Sequence, residues 1–271
     1  GKNVYLTLDS TIQFMVEQSL DKALAATRAQ GAVVIVMNPK TGEVLAMASR
    51  PTYNPNQFYK FSDKEWKNRA VSFNYEPGST FKSIVAAAGL QEGKVRPDER
   101  FIDNGYVEVS GRRIKNWSGE SYGSISFIEI IKESINTGFV QVGMRLGAQK
   151  LTEYAKMFGF GKATGIELPG EEEGLLFDPS EMRDSDVATM SIGHSIAVTP
   201  IQLITAVSAI ANDGVLLKPY IIKEIRNSDG SLDKTGATQS VRQVISASSA
   251  RTLADMMEKV VSEGGGKKAE V

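Results

Sequence analysis

Apolar residues recur at helical spacing after Asp9-Ser10-Thr11: Ile12, Val16, Leu20 and Leu24 form one stripe that stops at Gly31. A polar cluster of that kind ahead of such a stripe is a helix-capping signal. Ala32 to Met37 and Val44 to Ala48 are short apolar runs on either side of Asn38-Pro39-Lys40-Thr41-Gly42, a pattern that predicts a β-hairpin. Residues 50–75 carry prolines and aromatics without a period, and residues 94–125 are polar and turn-rich. Between them, an apolar run from about Ser79 to Leu90 predicts a helix delivered by the turn Glu76-Pro77-Gly78. Ser126-Phe127-Ile128-Glu129 is a capping box that opens a helix from Phe127 to about Glu133. Ser134-Ile135-Asn136-Thr137-Gly138 interrupts that helix; a second runs to Gly147 and a third covers Leu151 to Phe158. Residues 161–187 read as loop. Thr199-Pro200 starts a helix ending near Asp213-Gly214. Val215 to Ile225 and Val241 to Ile245 read as strands. A last amphipathic helix begins near Ser248 and uses Leu253, Met256, Met257, Val260 and Val261. Strand signals at both ends and helices in the middle predict one α/β body with a helical insertion.

Composition narrows the chemistry. The 271 residues include 41% hydrophobic and 23% charged positions, ordinary for a globular chain with a core. The net charge of −1 gives no footprint for nucleic acid or an anionic membrane. Cysteine is absent, which removes disulfides, thiol catalysis and thiolate-bound metal. His194 is the single histidine, so a multi-histidine metal site is impossible. No run approaches the ~20 apolar residues of a membrane span, and no signal peptide is visible. The chain opens at Gly1-Lys2-Asn3 and closes at Lys267-Lys268-Ala269-Glu270-Val271, and both ends read as cuts.

Ser79-Thr80-Phe81-Lys82 carries the candidate chemistry. Positions i and i+3 are neighbours on a helix, which places a hydroxyl beside an amine. A serine needs an adjacent base to act as a nucleophile. Lysine is ordinarily protonated, but burial among Phe81, Ile84, Val85 and alanines would lower its pKa. A serine at a helix N-terminus also lies near free backbone N–H groups suited to an oxyanion. An N-cap serine followed by an exposed lysine spells the same four letters. Ser134 and Asn136, in the helix break, could relay a proton and hold an amide; equally, serine and asparagine favour helix ends.

Taken together and in order, these segments resemble the transpeptidase domain of the penicillin-binding proteins, of the high-molecular-weight class B type. The carriers are Leu6-Thr7-Leu8-Asp9 with Ile12-Gln13, Pro39 to Met47, Tyr75 to Lys82, Ser134-Ile135-Asn136-Thr137 and Gly193 to Leu203. The resemblance implies an α/β (α+β) fold: an antiparallel sheet flanked by helices, plus an all-helical subdomain over about 79–210. It implies a peptidoglycan D,D-transpeptidase that works through a serine acyl-enzyme, is acylated by β-lactams and needs no cofactor or metal. Ser79 would be the nucleophile, Lys82 its base, Ser134 the proton relay and Asn136 the substrate-amide binder. The implied partners are the peptidoglycan stem peptide, β-lactam antibiotics and cell-wall synthesis proteins of division or elongation. The implied location is the extracytoplasmic face of the membrane, held by an N-terminal anchor that this chain lacks.

The family's third motif, Lys-Thr/Ser-Gly on an inner strand, has no clear counterpart. Lys40-Thr41-Gly42 precedes the nucleophile and falls in a turn; Lys234-Thr235-Gly236 precedes the last helix and has no apolar strand leading into it. The expectation is therefore one transpeptidase domain over 1–271, truncated at both ends and lacking its C-terminal strands. Two other functions stay open: a serine β-lactamase, for which no deacylating glutamate is evident, and a non-catalytic β-lactam sensor. His194 reads as structural and Glu171-Glu172-Glu173 as a solvated loop. Trp66, Tyr53 and Tyr59 read as packing residues, with a cleft wall as the alternative, and Trp117 as a residue that could edge the groove.

Overall fold

A computed structural model describes residues 1–270. The elements run β1 Asn3–Leu6, α1 Ser10–Thr27, β2 Ala32–Met37, β3 Val44–Arg50, α2 Asp63–Trp66, α3 Arg69–Ser72 and α4 Lys82–Gln91. They continue as β4 Arg100–Asp103, β5 Tyr106–Val109, β6 Arg112–Lys115, β7 Gly123–Ser126, α5 Phe127–Lys132 and α6 Asn136–Met157. The remainder is α7 Asp184–Met190, α8 Pro200–Ala211, β8 Val215–Leu217, β9 Ile222–Arg226, β10 Leu232–Thr235, β11 Ser240–Gln243 and α9 Ala247–Ser262.

All strand pairings between these elements are antiparallel: β1-β9-β10, β11-β8, β2-β3, β4-β7 and β5-β6. The predicted hairpin is β2–β3. Alternation along β3 buries Val44, Ala46 and Ala48. Its turn needs Gly42, where φ is 81° and a Cβ would sit 2.6 Å from the Lys218 carbonyl. Asp9 caps α1 by accepting from the Thr11 and Ile12 amides, but the helix stops at Arg28 in the left-handed region rather than at Gly31.

Helix α4 is the centre of the molecule. Ile84, Val85, Ala86, Ala87 and Ala88 are all buried, so this helix is apolar on every side and is covered by α6, α8 and α9. Phe81 packs on Phe160 at 5.6 Å, and Phe127 on Phe139 at 6.0 Å. The break expected at Gly147 is present inside α6, where φ is 73° and ψ 170°. Between α6 and α7, Gly143 faces the fully buried Ser191, whose hydroxyl donates to the Val187 carbonyl. A methyl there has no space, so Gly143→Ala should destabilise the fold by about 1–3 kcal/mol, read as a lowered urea midpoint at unchanged slope.

Several segments differ from expectation. The polar stretch from 94 to 126 holds two nested antiparallel pairs, β4–β7 around the β5–β6 hairpin, so the portion over 79–210 is not all-helical as expected: its polar, turn-rich residues pair as short strands instead of continuing the helices. Residues 161–187 include the start of α7, and Val215 to Ile225 is two strands. Lys234 and Thr235 do lie on a strand, β10, but it is an exposed edge strand paired with β9.

Candidate active site

The turn Gly78–Phe81 is 3-10 rather than α, and α4 proper begins at Lys82. Gly78 takes φ 57° to turn the chain into it. Ser79 is exposed, whereas Lys82 is 3% exposed. The turn is braced from behind. Gly78 N–H donates to the Gly193 carbonyl at 3.0 Å, and Tyr75 and Val198 exchange backbone bonds. A Cβ on Gly193 would run into the Gly78 carbonyl, so only glycine permits this approach. Glu76 Oε1 accepts from the Ser195 amide at 3.0 Å, and Oε2 lies 2.8 Å from His194 Nδ1. The bond with His194, followed by that with Ser195, holds the Glu76 carboxyl below its ordinary range.

The second segment is shaped by the end of α5. Its capping box forms as predicted, with Ser126 and Glu129 in reciprocal bonds. The helix then closes in a Schellman arrangement: Ser134 N–H donates to the Ile131 carbonyl and Ile135 N–H to the Ile130 carbonyl. That places Ser134 at φ 54°, a position glycine usually takes. A hydroxyl-bearing residue in this conformation is strained by about 1–3 kcal/mol, and such strain clusters at functional sites. Gly138 has no side chain because a Cβ would lie 2.6 Å from Ile130.

The two segments meet at Lys82. Its Nζ donates to the Ser134 carbonyl (2.8 Å), to Ser134 Oγ (3.0 Å) and to Asn136 Oδ1 (2.6 Å). It also lies 5.3 Å from the Phe139 ring centre. Burial pushes the lysine down to about 7. The three acceptors and the ring face favour the ammonium form, so the amine is poised between its two states near neutral pH. The Asn136 amide is held at its other end too, with Nδ2 donating to the Lys115 carbonyl at 2.8 Å.

Ser79, Lys82 and Ser134 border one cavity of about 310 Å³, closed on its apolar side by Phe139, Val207, Leu253, Met257 and Val260. Among the described residues Ser79 makes no side-chain hydrogen bond. The direct Ser79–Lys82 pairing expected from helix spacing is therefore not made; the two share a cavity, and the lysine faces Ser134 and Asn136. Catalytic bonds are often loose in a free enzyme and tighten with substrate. A larger groove of about 690 Å³, bordered by Tyr53, Trp66 and Arg50, contains none of the predicted site residues.

The other candidates resolve as follows. Trp117 is 90% exposed and does not border the 310 Å³ cavity. Lys40 lies in the β2–β3 turn and Lys234 on β10, and neither borders that cavity. The acidic run is not simply solvated: Glu171 accepts from the Thr164 amide and hydroxyl and the Gly165 amide, pinning the 161–171 loop. Phe139 and the α9 wall were not assigned to the site in the sequence. Their apolar periodicity marks core, and nothing in it distinguishes a cavity wall.

A hydroxyl that shares a cavity with a buried amine of depressed pKa, with a second hydroxyl and a carboxamide bonded to that amine, is suited to acyl transfer through serine. The pattern that defines the "Penicillin binding protein transpeptidase domain" matches residues 32–271. The chain belongs to that family. It is 41% identical to stage V sporulation protein D of Bacillus subtilis, over 100% of this chain and 42% of that protein. It is 32% identical to peptidoglycan D,D-transpeptidase FtsI of Escherichia coli, over 97% of this chain and 42% of that protein. The crystal structure of penicillin-binding protein 3 of Mycobacterium tuberculosis with aztreonam superposes with a TM-score of 0.93 at 33% identity, covering 100% of this chain and 62% of that one. The α/β fold inferred from sequence is the fold of these structures. The chain thus spans about two-fifths of the length of its curated relatives.

Proposed function

We propose that residues 1–271 form the transpeptidase domain of a peptidoglycan D,D-transpeptidase, with 79–210 as the portion that carries Ser79, Lys82, Ser134 and Asn136 on or between helices joined by strands β4 to β7. The observation that carries this reading is Lys82, buried and bonded to Ser134 and Asn136 in the cavity that Ser79 borders. Neutral Lys82 takes the Ser79 hydroxyl proton as Oγ attacks the carbonyl carbon of the penultimate D-alanine. Collapse of the tetrahedral adduct breaks the C–N bond. Ser134, whose hydroxyl can rotate between donor and acceptor roles, passes the proton from Lys82 to the departing D-alanine amine. Asn136 holds the stem-peptide amide. The amine of a second stem then attacks the ester, returns the proton to Ser79 and completes the crosslink.

A β-lactam enters by the same attack, but its amine stays tethered after the ring opens, so the acyl-enzyme persists. The proposed partners are peptidoglycan stem peptides, β-lactams and the proteins of cell-wall synthesis. The proposed location is the extracytoplasmic face of the membrane. Among the described residues no helix is long and apolar enough to cross a membrane.

The test offers a D-Ala-D-Ala stem peptide with a D-amino acid acceptor and, separately, penicillin, to the protein produced from its full reading frame. Release of D-alanine with a transfer product, and a long-lived penicilloyl adduct, are expected. Hydrolysis of many equivalents of penicillin per protein would instead make it a β-lactamase.

A further inference from the structure

Asp103, at the end of β4, is 1% exposed, and no lysine, arginine or histidine pairs with it among the described residues. An isolated buried carboxylate is costly unless hydrogen bonds replace its water. Here they do. Oδ1 accepts from Gly105 N–H (2.9 Å), Asn116 Nδ2 (3.0 Å) and Thr137 Oγ1 (2.7 Å). Oδ2 accepts from Asn116 Nδ2 (3.0 Å) and Tyr122 N–H (2.8 Å). Desolvation pushes this carboxyl up, but the bonds from Thr137, Tyr122, Gly105 and Asn116 outweigh it and hold it below the usual range. The group also sits at the first turn of α6, where the helix dipole favours negative charge.

The donors are not scattered. Thr137 is covalently next to Asn136, and Asn116 is next to Lys115, whose carbonyl takes Asn136 Nδ2. Asn116 also accepts the Thr137 amide through Oδ1 at 3.2 Å. Asp103, Thr137, Asn136, Lys115 and Asn116 therefore close a ring, with the Asn136 carboxamide on its rim and Asn136 Oδ1 on Lys82. A neutral amide of the same shape at position 103 could not accept all of these donors; its NH₂ would face N–H or O–H groups.

We propose that Asp103 is a positioning residue for acyl transfer, fixing the Asn136 carboxamide by tying the first turn of α6 to the β5–β6 hairpin. The proposal rests on the reading that Asn136 holds the acyl donor. Misplacing a catalytic group by about 1 Å costs on the order of 10²-fold in rate, and that is the scale expected when the ring opens.

The experiment is a double-mutant cycle on the rate of acylation by labelled benzylpenicillin, in the protein from its full reading frame, with thermal midpoints recorded alongside. Asp103→Asn and Asn136→Ala should each slow acylation by about 10²-fold, and the double variant should be no slower than Asn136→Ala within about threefold. Thr137→Val, which removes one donor, should slow acylation about tenfold, with Thr137→Ser restoring the rate. If Asp103→Asn does not fold, the Thr137 pair and its cycle with Asn136→Ala decide the matter. A wild-type rate in Asp103→Asn or Thr137→Val, or losses that simply multiply in the double variant, would overturn the role of Asp103 alone. A wild-type rate in Asn136→Ala would overturn the site reading, and this proposal with it.

Discussion

Ser79→Ala should abolish covalent capture of a β-lactam while leaving the fold almost untouched. The side chain is exposed and makes no hydrogen bond among the described residues, and the turn that carries it is held by Gly78, Gly193 and Glu76. Loss of its hydroxyl should change stability by no more than about 0.5 kcal/mol. The chemical loss is of another order. The other hydroxyls of the cavity are engaged elsewhere: Thr80 donates to the Pro77 carbonyl, Ser83 donates to the Thr80 carbonyl, and Ser134 Oγ accepts from Lys82. With no nucleophile to form the ester, acylation should fall by on the order of 10⁶-fold. Intact-mass measurement after incubation with penicillin, beside a urea melt, separates the two effects. A penicilloyl adduct on folded Ser79→Ala would remove the serine from the mechanism.

Lys82 governs the second large effect, and its sign can be worked out. Only the neutral amine can accept the serine proton. With the lysine held at about 7 by burial, the neutral fraction, and with it the acylation rate, should rise about tenfold from pH 6 to pH 8 and then level off. Lys82→Met should lose about 10²–10⁴-fold in acylation and the pH step together. The same burial links pH to stability. The unfolded lysine titrates near 10.5, so between about 7 and 10.5 the unfolded chain holds a proton that the folded chain has released. Stability from this group is therefore full above the upper value, falls as pH drops through the window and reaches its floor near 7. Each unit is worth about 1.4 kcal/mol. Urea midpoints of wild type minus Lys82→Met should rise from pH 7 to 10 and be flat below 7. A flat difference across the whole range would mean that the lysine is not desolvated in the folded state.

The four candidate residues stood out in the sequence because each combines an unusual residue with a local interruption. Ser79 and Lys82 head an apolar helix; Ser134 and Asn136 break one. The sequence could not reveal what links them. Helix spacing suggested a Ser79–Lys82 pair, but the 3-10 turn at Gly78–Phe81 offsets the serine from α4, and the lysine turns instead to residues brought in by tertiary packing. Asp103 was invisible for a related reason: its partners Asn116, Tyr122 and Thr137 come together only when two hairpins and α6 assemble.

The fold followed the same division. Helices with caps and long apolar stripes, such as α8 and α9, were readable from their own residues. Hairpin β5–β6 was not, since Arg112-Arg113-Ile114-Lys115 offers one buried side chain for alternation to reveal. Strand β10 offers none, because Leu232 to Thr235 are all exposed.

The central claim is that Ser79 is the acylated residue. Incubation of the protein from its full reading frame with labelled penicillin, followed by proteolysis and mass mapping, tests it most directly. The account predicts one stoichiometric adduct on the peptide that carries Ser79-Thr80-Phe81-Lys82, located on Ser79. An adduct on any other residue, or none on the folded protein, would contradict it.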